Sequence, residues 1–206
     1  MVNVSNERSD VDLLTAWRAG DEAAGQALFS RHFRRVYRFF ETKCGPDADE
    51  LVQATFLACV RAKNQFRGDS SFATYLFTIA RHELYRAFSD RRRDLGRIDF
   101  EASSIAELAP TPRTRMAASE DRRKLLTALR DLPVEQQVLL ELHYWEGVEI
   151  GELAEIFESP AGTIRSRLHR ARIALKERMA KEPGVPAGVN DTLESFDAWA
   201  RGLAQT

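Results

Sequence analysis

Residues 146–179, EGVEIGELAEIFESPAGTIRSRLHRARIALKERM, read as a short helix, a turn and a longer basic helix. Ile150, Leu153, Ala154 and Phe157 share one side of the first helix, and Ser159-Pro160 breaks it, with Pro160 suited to the first turn of the second helix. On that second helix Ile164, Leu168, Ala171 and Leu175 recur at intervals of four, three and four, the stripe that packs inward. Arg165, Ser166, His169, Arg172 and Lys176 point the other way. An α-helix fits the DNA major groove, and Arg can hold the O6/N7 edge of guanine with two hydrogen bonds while its neighbours bind phosphate. The stretch therefore has the chemistry of a DNA-reading helix-turn-helix. The plainer alternative is a solvated basic face on a helical hairpin, against which stand small Ala154 at the crossing, the turn length and the clustered Arg residues.

Working outward, 206 residues suffice for one medium domain or two small ones, and 44% hydrophobic with 30% charged residues is ordinary for a chain that folds in water. Formal net charge is −1, so DNA binding must come from segregated charge, as in the Arg-rich helix and Arg91-Arg92-Arg93. Cys44 and Cys59 are too few for a four-ligand zinc site, and nothing suggests an oxidising compartment. The first ten residues lack the apolar run of a signal peptide, and no stretch approaches the roughly 18 apolar residues of a membrane span. A cytoplasmic protein with no membrane insertion is expected.

The periodicity predicts helices throughout and no strands. A first helix starts near Val11 and ends at Gly20; a second, capped by Asp21, carries Leu28, Phe29, Phe33, Val36, Tyr37 and Phe40 on its core side. Pro46-Asp47 opens a third over DADELVQATFLACVRA, whose acids Asp47, Asp49 and Glu50 suit the positive helix end. After the turn FRGDSSF, a fourth helix runs to about Arg93, with Leu76, Ile79, Ala80, Leu84 and Ala87 inward and Tyr75, Thr78, His82, Tyr85 and Ser89 on the opposite side. Rings and hydrogen-bonding groups on one face, followed by three Arg, suit melted DNA, where an unstacked base lies on an aromatic plane. Residues 94–118 lose periodicity and read as a linker; 25 residues at about 3.3 Å each reach roughly 80 Å. A second helical set begins near Ser119. The expected fold is all-α: two small helical domains, 1–93 and 119–182, joined by a flexible linker, then a tail, 183–206. In that tail Leu193, Phe196, Trp199, Ala200 and Leu203 form an apolar stripe that needs a groove to bury it.

The order of DADELVQATF, FRGDSSFATYLFTIA, a linker, LRDLPVEQQVLLELHYWEG and SPAGTIRSRLHRAR resembles the extracytoplasmic function (ECF) sigma factors of the sigma-70 family, from about Asp21 to Met179. The resemblance implies a subunit that binds core RNA polymerase and brings it to promoter DNA. It implies docking on the beta-prime coiled coil through Asp49, Glu50, Leu51, Gln53 and Phe56, contact of the second module with the beta flap, and an anti-sigma factor as a further partner. It implies capture of a minus-ten base by the loop Phe66, Arg67, Gly68, Asp69, Ser70 and Ser71, with Tyr75, His82, Arg91, Arg92 and Arg93 alongside. Tyr75 stands at a position that is usually Trp, and His82 where Asn is usual. Arg165, Ser166 and Arg170 match contacts to the minus-thirty-five element, with His169, Arg172 and Lys176 on the same helix. The linker acids Asp99, Glu101 and Glu107 would lie where RNA phosphates later pass.

Two other classes fit less well. A stand-alone helix-turn-helix regulator would need an effector pocket, whereas the first half offers amphipathic helices and an aromatic surface. An enzyme is not indicated, because His32, His82, His143 and His169 are scattered without metal-ligand or triad spacing, and no Gly-rich phosphate loop occurs. No cofactor or metal is called for.

Overall fold

Ser9 starts the first helix by a reciprocal cap: its hydroxyl accepts from Asp12 N at 3.1 Å, and the Asp12 carboxylate accepts from Ser9 N at 3.1 Å. The computed structural model describes residues 8–66, 68–91, 98–108, 120–181 and 193–204. Arg67, Arg92, Arg93 and the 183–188 hinge lie outside the described residues. The first module packs α1 (Asp10–Arg18), α2 (Glu22–Cys44), α3 (Ala48–Arg61) and α4 (Phe72–Arg91), with a 3-10 turn at Gly45–Asp47. A side chain at Gly25 of α2 would place its Cβ 2.5 Å from the Trp17 ring, so α1 and α2 can approach this closely only over a glycine. Phe39, Phe40 and Phe77 then meet at centroid distances of 5.1 and 5.9 Å in a core that also buries Leu28, Val36, Leu76 and Leu84. Each such ring removed from water contributes about 2 kcal/mol, an upper figure against a compact unfolded chain.

The second module comprises α6 (Glu120–Arg130), α7 (Val134–Tyr144), α8 (Ile150–Ile156) and α9 (Ala161–Met179). The inward stripe Ile164, Leu168, Ala171 and Leu175 is buried as its spacing predicts, against Leu125, Leu129, Val138, Leu142 and Leu153. No strand occurs among the described residues; Ser104 and Pro133 form only an isolated bridge.

The described part of the linker is not the extended tether that its composition suggests. Residues 98–108 fold back between the modules and include a short helix, α5 (Ile105–Leu108), with Ile105 and Leu108 buried. Phe100 stacks on Tyr85 of α4 at 4.2 Å and 13°, while Val134 N donates to Ser103 O and Glu135 N to Phe100 O. The linker thus joins α4 to α7. The last described helix, α10 (Leu193–Ala204), lies on α6, α7 and α9.

The modules also touch directly, with α4 lying along α8. This widens the buried face of α4 beyond the stripe read from its sequence. Thr74, Phe77, Arg81, Glu83 and Phe88 are buried, while Ile79 and Ala87, expected inward, are only partly covered. A helix packed on two sides shows no single apolar stripe.

Candidate nucleic-acid interface

Helix α9 presents Arg165, Ser166, His169 and Arg170 to solvent, and Ser166 Oγ donates back to Gly162 O at 3.1 Å. Four of the six candidate side chains for duplex DNA are therefore available. Arg172 is different: it is held by Asp197 of α10, with Nε 3.1 Å from Oδ1 and Nη2 paired to Oδ2. Lys176 is half-buried. Arg167, on the other flank, is bonded to Glu135 at 2.6 Å and Glu101 at 2.8 Å. This anchors a linker acid on α9.

The face expected to meet melted DNA is largely occupied. Phe66 is buried beneath Tyr75, ring to ring at 4.7 Å, and Tyr75 Oη donates to Ala62 O at 3.3 Å. Neither ring stands out as an open platform. Gly68 and Asp69 are exposed, and Gly68 takes φ 82°, a left-handed value that its lack of Cβ permits. Ser71 caps α4 by accepting from Thr74 N at 3.0 Å, yet its hydroxyl also donates to Glu152 of α8 at 2.9 Å, as Thr74 Oγ1 does at 2.7 Å. Burial alone would raise the Glu152 pKa; these bonds and the Glu149 N–H outweigh it, and the carboxyl is held below its ordinary value. His82 lies 3.0 Å from Glu158, which Arg81 also reaches at 3.1 Å. Arg91 pairs with Asp47.

Further bonds from α2 close the modules. Arg35 and Arg38 of α2 both donate to Glu146, whose side chain is 4% exposed, at 2.7 and 2.9 Å. Lys43, wholly buried, pairs with Glu141 of α7, whose other oxygen accepts from Gln137 Nε2 at 2.6 Å. Glu141, Glu146, Glu152 and Glu158 of the second module thus all bond to side chains of the first. Nothing in the sequence around them gives a hint of this.

On the far side of the first module, α2 and α3 leave a groove of about 430 Å³ lined by Phe29, Phe33, Val52, Phe56, Leu57 and Val60, with Asp49 and Gln53 at its edge. Phe33, Leu57 and Val60 are 49%, 47% and 41% exposed, an apolar patch that a folded chain in water seldom leaves bare. The sequence pattern places Phe33 on the core side of α2, yet it lines this groove. Of the expected docking residues, Asp49, Glu50 and Gln53 are exposed and Phe56 lines the groove, but Leu51 is 8% exposed and belongs to the core. The two thiols, Cys44 and Cys59, are free and buried, and burial pushes Cys59 up to about 12, so neither is a reactive group. No group of three or more His, Cys, Asp or Glu that could hold a metal occurs among the described residues. No helix among them is long and apolar enough to cross a membrane.

Residues 28–94 match the family model for Sigma-70 region 2 and residues 122–175 that for Sigma-70, region 4. Two helical modules, one with a helix-turn-helix and one with an acid-edged apolar groove, are thus regions 4 and 2 of the sigma-70 family. Within that family the chain belongs to the ECF sigma factors. The ECF RNA polymerase sigma-E factors of Salmonella typhimurium (strain LT2) and Escherichia coli (strain K12) are each 28% identical over 185 residues, covering 85% of this chain and 97% of theirs. The sigma factor RpoE of Bartonella quintana, solved with the anti-sigma factor NepR, is 26% identical with a TM-score of 0.60, over 76% of this chain and 97% of its own. CnrH, solved with the cytosolic domain of CnrY, shares the fold at a TM-score of 0.62 and 22% identity, over 84% and 99%.

Proposed function

We propose that this ECF sigma factor docks on core RNA polymerase through the α2–α3 groove and directs it to promoters in the cytoplasm by dividing DNA recognition between its modules. Arg165, Ser166, His169 and Arg170 of α9 read the minus-thirty-five duplex. The loop 66–71 and the adjoining face of α4, with Tyr75 and His82, take the unstacked minus-ten strand. The beta-prime coiled coil is the partner for Asp49, Glu50, Gln53 and Phe56, and the beta flap is the partner for the second module. The chain does no covalent chemistry.

The observation that carries this reading is the pairing of an exposed basic recognition helix with a bare apolar groove on the opposite module. One surface fits DNA and the other a protein. In the closed arrangement Ser71 and Thr74 are engaged by Glu152, and His82 by Glu158. The minus-ten face becomes available only when the modules part, and polymerase, by gripping the groove, can hold them apart. An anti-sigma factor, such as the one solved with RpoE, would act by keeping this face covered.

The test is run-off transcription with purified core polymerase over a promoter library. The reading requires initiation from a defined subset of promoters sharing upstream and minus-ten sequences, and loss of the upstream preference in Arg165→Ala. Transcription without selectivity, or none while the chain still binds duplex DNA alone, would favour a stand-alone regulator.

A further inference from the structure

Helix α10 lies outside both matched family regions, yet it is tied into the second module at three points. Asp197 is 6% exposed, and its two carboxylate oxygens take the two prongs of Arg172. The Tyr144 phenol lies beside the same carboxylate, and burial first, then the interaction with Asp197, raises the phenol's pKa. One turn on, the Arg201 guanidinium lies 5.7 Å from the centre of the Tyr144 ring, and Trp199 packs against the core. A buried carboxylate is costly unless paired and hydrogen-bonded, so Asp197 marks a fitted contact. A helix of 12 residues is marginal in water on its own, and this docking is what holds it.

The partner of Asp197 gives the contact a consequence. At about 3.6 residues per turn, Arg165, His169, Arg172 and Lys176 run along one flank of α9. Arg172 therefore extends the cationic flank that begins at Arg165, and with Asp197 in place its charge is neutralised on the side facing α10. A DNA phosphate approaching there must compete with a carboxylate already bound in two-pronged geometry.

We propose that the face of the second module built by α6, α7 and α9 is a helix-binding surface whose occupant is this chain's own α10, anchored by Asp197 between Arg172 and Tyr144, and that α10 thereby withholds Arg172 from DNA phosphate. The surface suits an amphipathic helix carrying a carboxylate. The withholding rests on the reading of α9 as the duplex-binding helix; the docking does not.

The test compares the full chain with Asp197→Ala, Arg172→Gln and the double variant, by two measurements. Amide hydrogen exchange over 193–204 reports docking alone; both single variants should exchange there about tenfold faster than the parent. Unchanged protection in both overturns the anchor. Affinity for a 30-base-pair duplex is then followed against salt. Freeing one cation for phosphate should steepen the log–log slope by about 0.9 in Asp197→Ala, with no steepening in the double variant. Equal slopes in Asp197→Ala and the parent overturn the withholding. Faster exchange with no duplex binding by any variant overturns both the withholding and the DNA-reading role of α9, and leaves the docking standing.

Discussion

Lys43 of α2 and Glu141 of α7 form an ion pair between the two modules in which the ammonium is wholly out of solvent and the carboxylate 4% exposed. Lys43 Nζ also donates to Phe39 O at 2.7 Å and lies 4.1 Å from the centre of the Phe39 ring, so its charge is fully used only while Glu141 is present. Removing one partner of a buried pair costs about 3 to 5 kcal/mol when the other charge cannot escape. Here it can escape, because parting the modules returns Lys43 to water. We therefore expect Glu141→Ala to shift the chain to an open form with each module still helical. A larger radius of gyration in X-ray scattering with unchanged circular dichroism is the expected result; a closed envelope with a lowered melting temperature would place the pair in folding instead.

Glu158 sits at φ 51°, a left-handed value that costs a residue with a Cβ roughly 1 to 2 kcal/mol. The turn of the helix-turn-helix holds a non-glycine residue in this conformation, and its carboxylate reaches Arg81 and His82 of the other module. Glu158→Gly should stabilise the second module by about 1 kcal/mol while loosening closure. Denaturant unfolding and scattering separate the two effects. A destabilised second module would show that the turn depends on the Glu side chain itself.

For polymerase docking the informative positions are Phe33 and Leu57, which are half exposed, and not Leu51, which is core. Phe33→Ser together with Leu57→Ser should leave the helices intact and weaken binding to core polymerase by at least about 2 kcal/mol, as for the anchors of a protein interface. Leu51→Asp should instead unfold the first module, since it buries a carboxylate among α2 and α3. Pull-down with core polymerase beside a melting curve distinguishes them. Full binding by the folded double Ser variant would move the docking surface elsewhere.

How far the sequence reaches depends on whether one helix answers to one partner. The stripe Ile164, Leu168, Ala171 and Leu175 is legible because α9 buries a single face, and the Asp21 cap is legible because it acts within a few residues. Contacts between the modules are not, since Glu141 and Glu146 look like any solvated acids until α2 lies opposite them. The linker misleads for the same reason: Phe100 and Ile105 have no periodicity, and only Tyr85 and the α7 start give them a place to pack. Tyr75 shows the limit for the site, because the sequence puts its ring on the outward side of α4 and cannot show that Phe66 and Phe72 pack against it.

Glu152 couples closure to pH and to the minus-ten loop. Its carboxylate accepts from Ser71 and Thr74 across the interface, and nearby Arg35 also favours the charged form. The closed state therefore holds its pKa below the ordinary value of 4.5, and opening removes the Ser71 and Thr74 bonds and lets it rise back toward that value. The open form thus takes up the proton more readily, so the contribution of Glu152 to closure is complete above about 4.5 and is lost as pH falls through the depressed closed-state value. Glu152→Gln should remove this part of the pH dependence, and should weaken closure at neutral pH by about 1 to 2 kcal/mol, the usual difference between charged and neutral hydrogen bonds. Energy transfer between dyes on the two modules, measured from pH 7 downward in parent and variant, reports both. Binding of a single-stranded minus-ten oligonucleotide should rise in Glu152→Gln, because Ser71 and Thr74 are released toward the strand. Unaltered energy transfer with unaltered oligonucleotide binding would mean that Glu152 only fills the interface and that the loop is governed from elsewhere.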